Sequence, residues 1–596
     1  MGYNASREAR RRRKRRRKML QATIPVVIAI VLMAIIGLIA YNTGLFDEFG
    51  YSDTKADLSE YFMTSPDEIN SVAVVIENNE VTGKKITVKD GRMYVPFETV
   101  TEEYNQNFYW EPTEDSILYT TGEGVYKAKC GETFYTLDGT GIQAGYQTCY
   151  KEGESVMVCL DFVKVFTNME IRLYGGGKEP YRTLIRTAWD KDVVADVTDD
   201  DVAIRLEADK DSAILKELRK GSTVVVVSSE DEKWMKVMSE DLLTGYIETK
   251  HLGDKYDRPQ TPVTNVAPVT VTPVADYSQP VIVAWHNVTG DSSMSSLKDC
   301  EKFLKYINVI SPTWFALSDN EGSIASIGST AYVESCHAKG IKVWGLVSNL
   351  TYPEVSTSTV LNDPAKRAYM IEQLLALAGQ YKLDGINLDF ESIAAEDGAA
   401  YVQFIREFCL KAHEKNLVVS VDNYVPKEYT SHYNRMEQGI FADYVIIMGY
   451  DEHTSASDEA GSVASLDFVL EGIEKTLEEV PKEKVINGLP FYTRFWTVDA
   501  NEMILDMQTL PMAKGIETVA AAGVTAEWDD TTGQNYAQWS DGTSTNKIWL
   551  EDVRSLQAKL DVMKAHDLGG VAVWQLAFGT EEAFTVIDEY YRPSTE

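Results

Sequence analysis

Histidine and cysteine are the scarcest reactive side chains in this 596-residue chain, with 7 and 6 copies. The histidines are scattered, without a His-x-x-x-His or similar cluster. The cysteines (Cys130, Cys149, Cys159, Cys300, Cys336 and Cys409) fall three in each half, and no pair has metal-ligand spacing. So few thiols in so long a chain are not a disulfide framework. Cys149 and Cys159 could pair across a hairpin, with buried free thiols as the alternative. No metal site is visible, and no cofactor is expected. Positive charge is also scarce outside one block. Residues 1 to 18 carry ten Lys or Arg and one acid, Glu8. Removing them from the 57 bases and 91 acids leaves 47 and 90, a balance of −43. A body this acidic excludes nucleic acid as a partner, so the basic head has another one.

Long apolar runs are equally rare, and the single clear one follows the basic block. Ile24 to Tyr41 contains no charged residue and is long enough to cross a bilayer. We read 1–22 as a basic cytoplasmic segment and 23–42 as a transmembrane helix, oriented by the positive-inside rule. A cleaved signal peptide is the competing reading, but the run is long and offers no good small-x-small site. The rest of the chain is then expected outside the cell membrane, on the wall side of a bacterium.

Length alone implies several domains. Between Ser71 and Gly176 the pattern is short strands separated by polar turns. Two segments there look alike, Gly91 to Val100 and Gly153 to Val163. Residues 52–190 resemble the small domain named for the N-terminal domain of copper amine oxidases, a likeness that implies neither copper nor oxidase activity. Residues 194–254 contain Arg205, Lys220-Gly221, Trp234 and Gly245-Tyr246-Ile247 in order. They resemble a bacterial Src-homology-3-type domain, which implies wall binding or a plain spacer. Residues 255–279, with four prolines, are expected to form a semi-rigid linker.

The last block, 280–596, repeats strand then helix about eight times. This suits a (β/α)8 TIM barrel, giving an α/β fold preceded by small β-rich domains. A doubly wound sheet is the alternative, but no Gly-rich nucleotide loop follows the first strand. The most informative strand is Leu383-Asp-Gly-Ile-Asn-Leu-Asp-Phe-Glu391. Side chains alternate across a strand, so Asn387, Asp389 and Glu391 share one face, while Ile386, Leu388 and Phe390 share the other. Such a polar row is costly inside a protein unless it is used. Glu391 falls at the strand's C-terminal end, where barrel enzymes carry catalytic groups.

Glycosidic cleavage needs an acid beside the leaving oxygen and a stabiliser for the charge that develops at the sugar carbon. Glu391 suits the first role. Asp389 lies on the same strand, the wrong place for a nucleophile attacking the opposite face. That geometry suits substrate assistance, in which the sugar's 2-acetamido oxygen attacks while Asp389 orients it.

Asp384-Gly-Ile-Asn-Leu-Asp-Phe-Glu391, Met448-Gly-Tyr-Asp451 and Trp574 together resemble the family 18 glycoside hydrolases, the chitinase-like barrels. The resemblance implies Glu391 as acid/base, Asp389 holding the acetamide, Tyr450 assisting, and substrate contacts from Asp384, Asn387, Met448, Asp451 and Trp574. Asn387 departs from the signature, which has Asp there; an amide can hydrogen-bond Asp389 but cannot take up charge. This Asn, with Val309 to Phe315, Gly449 to His453 and Leu489 to Arg494, resembles the branch of spore-cortex and wall-lytic N-acetylglucosaminidases. Peptidoglycan is therefore favoured over chitin. Trp285, Trp314, Tyr424, Phe491, Tyr492 and Trp496 are candidates for sugar stacking. A catalytically silent glycan receptor and a wall-complex scaffold are the competing classes.

Overall fold

A computed structural model describes residues 30–36, 50–63, 73–76, 79–81, 86–228, 232–262, 266–290, 293–540 and 542–592. The basic segment lies outside the described residues, as does most of the expected membrane span, of which 30–36 are helical. Among the described residues no helix is long and apolar enough to cross a membrane. Chain contacts divide the rest into two units, 1–95 with 159–266, and 96–158 with 267–596.

The first unit holds a four-stranded sheet and a seven-stranded one. In the larger sheet, the strands Val202–Arg205, Ile214–Leu218, Thr223–Ser228, Trp234–Met238 and Thr244–Glu248 fall within the expected Src-homology-3-like segment. They enclose Val197, Ile204, Val237 and Ile247, all buried. Two further strands, Lys191–Asp196 and Tyr256–Pro259, pair with each other at one edge. The start of the expected linker is thus a β-strand.

In the second unit, eight parallel strands close on themselves: β1 (Val281–His286), β2 (Val309–Leu317), β3 (Lys342–Ser348), β4 (Gly385–Asp389), β5 (Val418–Tyr424), β6 (Tyr444–Met448), β7 (Val485–Pro490) and β8 (Gly570–Trp574). Closure comes from β1 pairing with both β2 and β8. The expected barrel is therefore present. Its interior is packed by Val283, Trp285, Val309, Trp344, Leu346, Val418, Tyr444 and Ile486. The other strand face, including Ile386, Leu388 and Phe390, packs under the surrounding helices.

Helix α1 (Pro364–Tyr381) precedes β4 and shows how local sequence sets its ends. The Asp363 carboxylate accepts from the Ala365 and Lys366 N–H groups, Pro364 opens the first turn, and Lys382 closes it in the left-handed region at φ 58°. Helix α2 (Gly398–His413) follows β4.

Two additions to the barrel were not separated by the sequence reading. A five-stranded sheet and the helix Met512–Ala521 are inserted between β7 and β8, from Tyr492 to Leu550. A five-stranded antiparallel meander, Phe108–Gln143, belongs to the same unit as the barrel. It docks on the helices through Arg367 and Glu111, whose side chains meet at 2.7 Å and are fully buried, and through Thr120 with Gln403. The division between the two units falls inside the expected 52–190 segment, after Val95 and after Val158.

The end of the expected linker is also fixed. Asp443 Oδ1 accepts from the Val274 and Ala275 N–H groups, and the Tyr277 hydroxyl donates to the Asp443 carbonyl. Cys149 lies against Cys130, with their sulfurs 3.1 Å apart, and Cys149 and Cys159 are both buried free thiols, the second of the two alternatives left open by sequence.

Candidate active site

β4 carries its polar side chains inward, as the alternation requires, and the C-terminal end of the barrel gathers the rest. Glu391 lies two residues beyond the last residue of the strand, Asp389. Its backbone is clamped by Asn349, whose Oδ1 accepts from the Glu391 N–H at 2.8 Å and whose Nδ2 donates to the Glu391 carbonyl at 2.9 Å. The Glu391 side chain shares a hydrogen bond with the Tyr424 hydroxyl at the end of β5. Burial pushes the Glu391 carboxyl up; Tyr424 opposes this, and the Asp451 charge adds to it. Burial, then the neighbouring Glu391 charge, pushes Asp389 up to about 8.

Behind Asp389 the barrel core is polar. Asn387 is fully buried. Its Oδ1 accepts from Trp285 Nε1 at 2.8 Å and from the Ser311 hydroxyl at 3.1 Å, and its Nδ2 donates to Asp422 Oδ1 at 2.8 Å. This corrects two expectations. Asn387 is sealed from the barrel mouth, so it does not contact substrate, and the hydrogen-bonded carboxylate is Asp422 on β5 rather than Asp389. Asp422 was missed. Its signal was the same alternation on β5, where Ser420, Asp422 and Tyr424 form an inward polar row. Burial, then the Asp389 charge, holds the Asp422 carboxyl well above the usual range.

Trp285 forms a base beneath the site, edge-on to Tyr450 and Trp574 with ring centroids 6.3 and 6.2 Å away. Gly488 permits this packing, since a Cβ there would lie 3.1 Å from Tyr450 and 3.2 Å from Trp285. Asp451, after β6, accepts from the Tyr492 hydroxyl at 2.6 Å and pairs with Arg494 at 2.5 Å. Both partners come from the start of the inserted sheet, and Arg494 was not anticipated as a site residue. Met448 ends β6 nearly buried.

Asp384 is a correction. It lies at the N-terminal end of β4, where its carboxylate accepts from the Val343 N–H and bonds His337 Nε2, each at 2.8 Å. It pins β4 to β3 at the barrel's opposite end from Glu391. Among the candidate stacking residues, Trp314 packs on Tyr332, while Trp496 donates to the Gly461 carbonyl. Phe491 packs on Phe584. These three are core residues, whereas Tyr424 and Tyr492 reach site carboxylates. Among the described residues no group of three His, Cys, Asp or Glu is arranged to hold a metal ion.

A closed (β/α)8 barrel with an acid and a second carboxylate two residues apart at the end of β4 defines a class of carbohydrate-cleaving enzymes. Residues 271–579 match the Glycosyl hydrolases family 18 profile, and the chain belongs to that family as a glycosidase. Residues 75–181 match the Copper amine oxidase N-terminal domain. The chain is 27% identical over 320 residues to the uncharacterized glycosylase YvbX of Bacillus subtilis, covering 50% of this chain and 88% of that one. It is 24% identical to a cortical fragment-lytic enzyme of Bacillus anthracis, covering 50% and 71%. The solved Bacillus cereus spore cortex-lytic enzyme SleL aligns over 63% of this chain and 90% of its own, at 18% identity and a TM-score of 0.48.

Proposed function

We propose that the protein is a retaining β-N-acetylglucosaminidase that cleaves peptidoglycan by substrate assistance. In this reading Glu391 protonates the leaving oxygen and then activates water. Asp389, with Tyr450, orients the 2-acetamido group whose oxygen attacks the sugar carbon. Asp451 is aligned towards the sugar by Tyr492 and Arg494, Met448 borders the bound ring, and Trp574 is its floor. The observation that carries the reading is the placement of Asp389 and Glu391 two residues apart at the C-terminal end of β4, both pushed towards their protonated forms.

Peptidoglycan is favoured by the similarity to proteins named cortical fragment-lytic enzymes. Chitin is the second reading, favoured by similarity to proteins named as probable chitinases. The basic head and apolar run support a cell-membrane anchor with the catalytic unit outside. The upstream β-rich modules then act as spacers or wall contacts.

The test is digestion of purified peptidoglycan by the full chain in detergent, followed by borohydride reduction and mass spectrometry. New reduced N-acetylglucosamine ends, absent with Glu391→Gln, support the reading. Cleavage of chitin oligomers alone moves the substrate to chitin. Glycan binding without cleavage of either would refute catalysis on these polymers.

A further inference from the structure

Two inward carboxyl groups stand on neighbouring strands of the barrel. The β4–β5 register pairs Asn387 with Ser420 and Leu388 with Val421. Its next step brings Asp389 beside Asp422, on the same face of the sheet. Asp422 is only 2% exposed. The titratable groups around the pair are Glu391 beyond β4, Tyr450 and Asp451 beyond β6, and Tyr401 and Tyr433 from the surrounding helices. Tyr424 on β5 acts through Glu391. Among the described residues no cation bears on either carboxyl of the pair. The Arg494 guanidinium is taken up by Asp451, and that of Arg435 faces Tyr401 and Tyr433 and donates to the carbonyls of Tyr424 and Thr430. Two buried carboxylates side by side, with no cation, cannot both remain ionised.

We propose that Asp389 and Asp422 share one proton, and that Asp422 takes it from Asp389 when the sugar's acetamido group docks. This deepens the substrate-assisted reading and rests on it. In the step, the O–H bond on Asp389 breaks and one forms on Asp422, so the pair carries a single negative charge before and after. Asp389 is then the carboxylate that accepts the acetamide N–H and faces the developing positive charge. Asn387 holds Asp422 in place by donating to its Oδ1. As an amide, Asn387 cannot itself store the proton. Asp422 is thus a positioning and proton-holding residue, acting through Asp389.

Two variants test this, Asp422→Asn and the exchange Asn387→Asp/Asp422→Asn, which moves the second carboxyl back onto β4. The first readout needs no activity: the melting temperature of the full chain in detergent between about pH 5 and 9. A carboxyl whose folded pKa is raised contributes stability that is present at low pH and lost as pH rises through that pKa. The wild-type melting temperature should fall across this window, and Asp422→Asn should flatten the fall. The second readout is the pH profile of kcat/KM on chitotetraose and on peptidoglycan. Asp422→Asn should lower kcat about ten-fold and change the profile's shape, and the exchange should recover most of the rate. An unchanged slope together with an unchanged profile in Asp422→Asn would overturn the proposal. A wild type that shows the slope yet cleaves neither glycan would fault the functional reading and still support the shared proton. If Asp422→Asn does not fold, a folded exchange variant with wild-type slope supports the pair, and one without it overturns it.

Discussion

Arg367 of helix α1 and Glu111 of the upstream meander meet at 2.7 Å, and neither side chain has any solvent exposure. The guanidinium also donates to the Leu361 carbonyl at 2.7 Å and lies 3.4 Å from Glu407. Breaking a buried pair by removing one partner leaves an uncompensated charge. Glu111→Ala is therefore expected to cost about 3–5 kcal/mol, less whatever Glu407 retains. Replacing both partners with Arg367→Met and Glu111→Leu should cost less than the single change. Urea unfolding of the catalytic unit measures both. The same contact predicts that a fragment beginning at Pro280 will be poorly soluble, because it strips the partner from Arg367.

Tyr424 tunes the acid. Its hydroxyl favours the ionised form of Glu391, against burial and the Asp451 charge. Removing it in Tyr424→Phe should raise the Glu391 pKa further. A general acid must be protonated, so activity is lost as pH rises through that pKa. The alkaline limb of kcat/KM should accordingly move to higher pH in Tyr424→Phe, while Glu391→Gln should abolish hydrolysis with an unchanged circular dichroism spectrum. An alkaline limb that stays in place would show that another group sets it.

The barrel was legible because its strands are short apolar runs at regular spacing; seven of the eight lie within three residues of the expected bounds, while β2, expected over 308–310, runs on to Leu317. Asp389 and Glu391 were legible because a polar row on one strand face has few structural uses. Asp384 was misplaced because a motif gives neighbours in sequence, whereas a strand puts its two ends at opposite mouths of the barrel. Asn387 was misread for a related reason, since depth along the strand decides whether an inward side chain meets substrate or core. Arg494 was out of reach, because its role depends on an inserted sheet folding back over β6. The docking of Phe108–Gln143 was also illegible. Its anchor joins Glu111 to Arg367, which lie 256 positions apart, and neither carries a local signal.

Asp443 joins the lead-in segment to the barrel. Burial opposes its ionisation, but hydrogen bonds from His413 and from the Val419 and Ala275 N–H groups outweigh this and hold its carboxyl below the usual range. A depressed folded pKa contributes stability that is present above the unfolded value, about 3.9, and is lost as pH falls through the folded one. Asp443→Asn should therefore destabilise the protein at neutral pH and lose less stability on acidification below about pH 4. Melting curves across that range decide it. Parallel loss in wild type and variant would mean that other carboxylates set the acid limit.

Cys130 and Cys149 supply the last test, because their sulfurs are in contact while the other four thiols are buried apart. Oxidation by dissolved oxygen with a copper catalyst should join this pair first, with two protons and two electrons leaving. Closing a loop of 19 positions should stabilise the fold by about 3 kcal/mol in the chain-entropy account. Non-reducing peptide mapping should recover a Cys130–Cys149 peptide and no Cys149–Cys159 peptide. Cys300, Cys336 and Cys409 should become alkylated only after unfolding. A mapped Cys149–Cys159 bridge would mean that β-strand register in this region differs from the one described, since Cys149 now faces Val158 across the hairpin and Cys159 follows it on the opposite face.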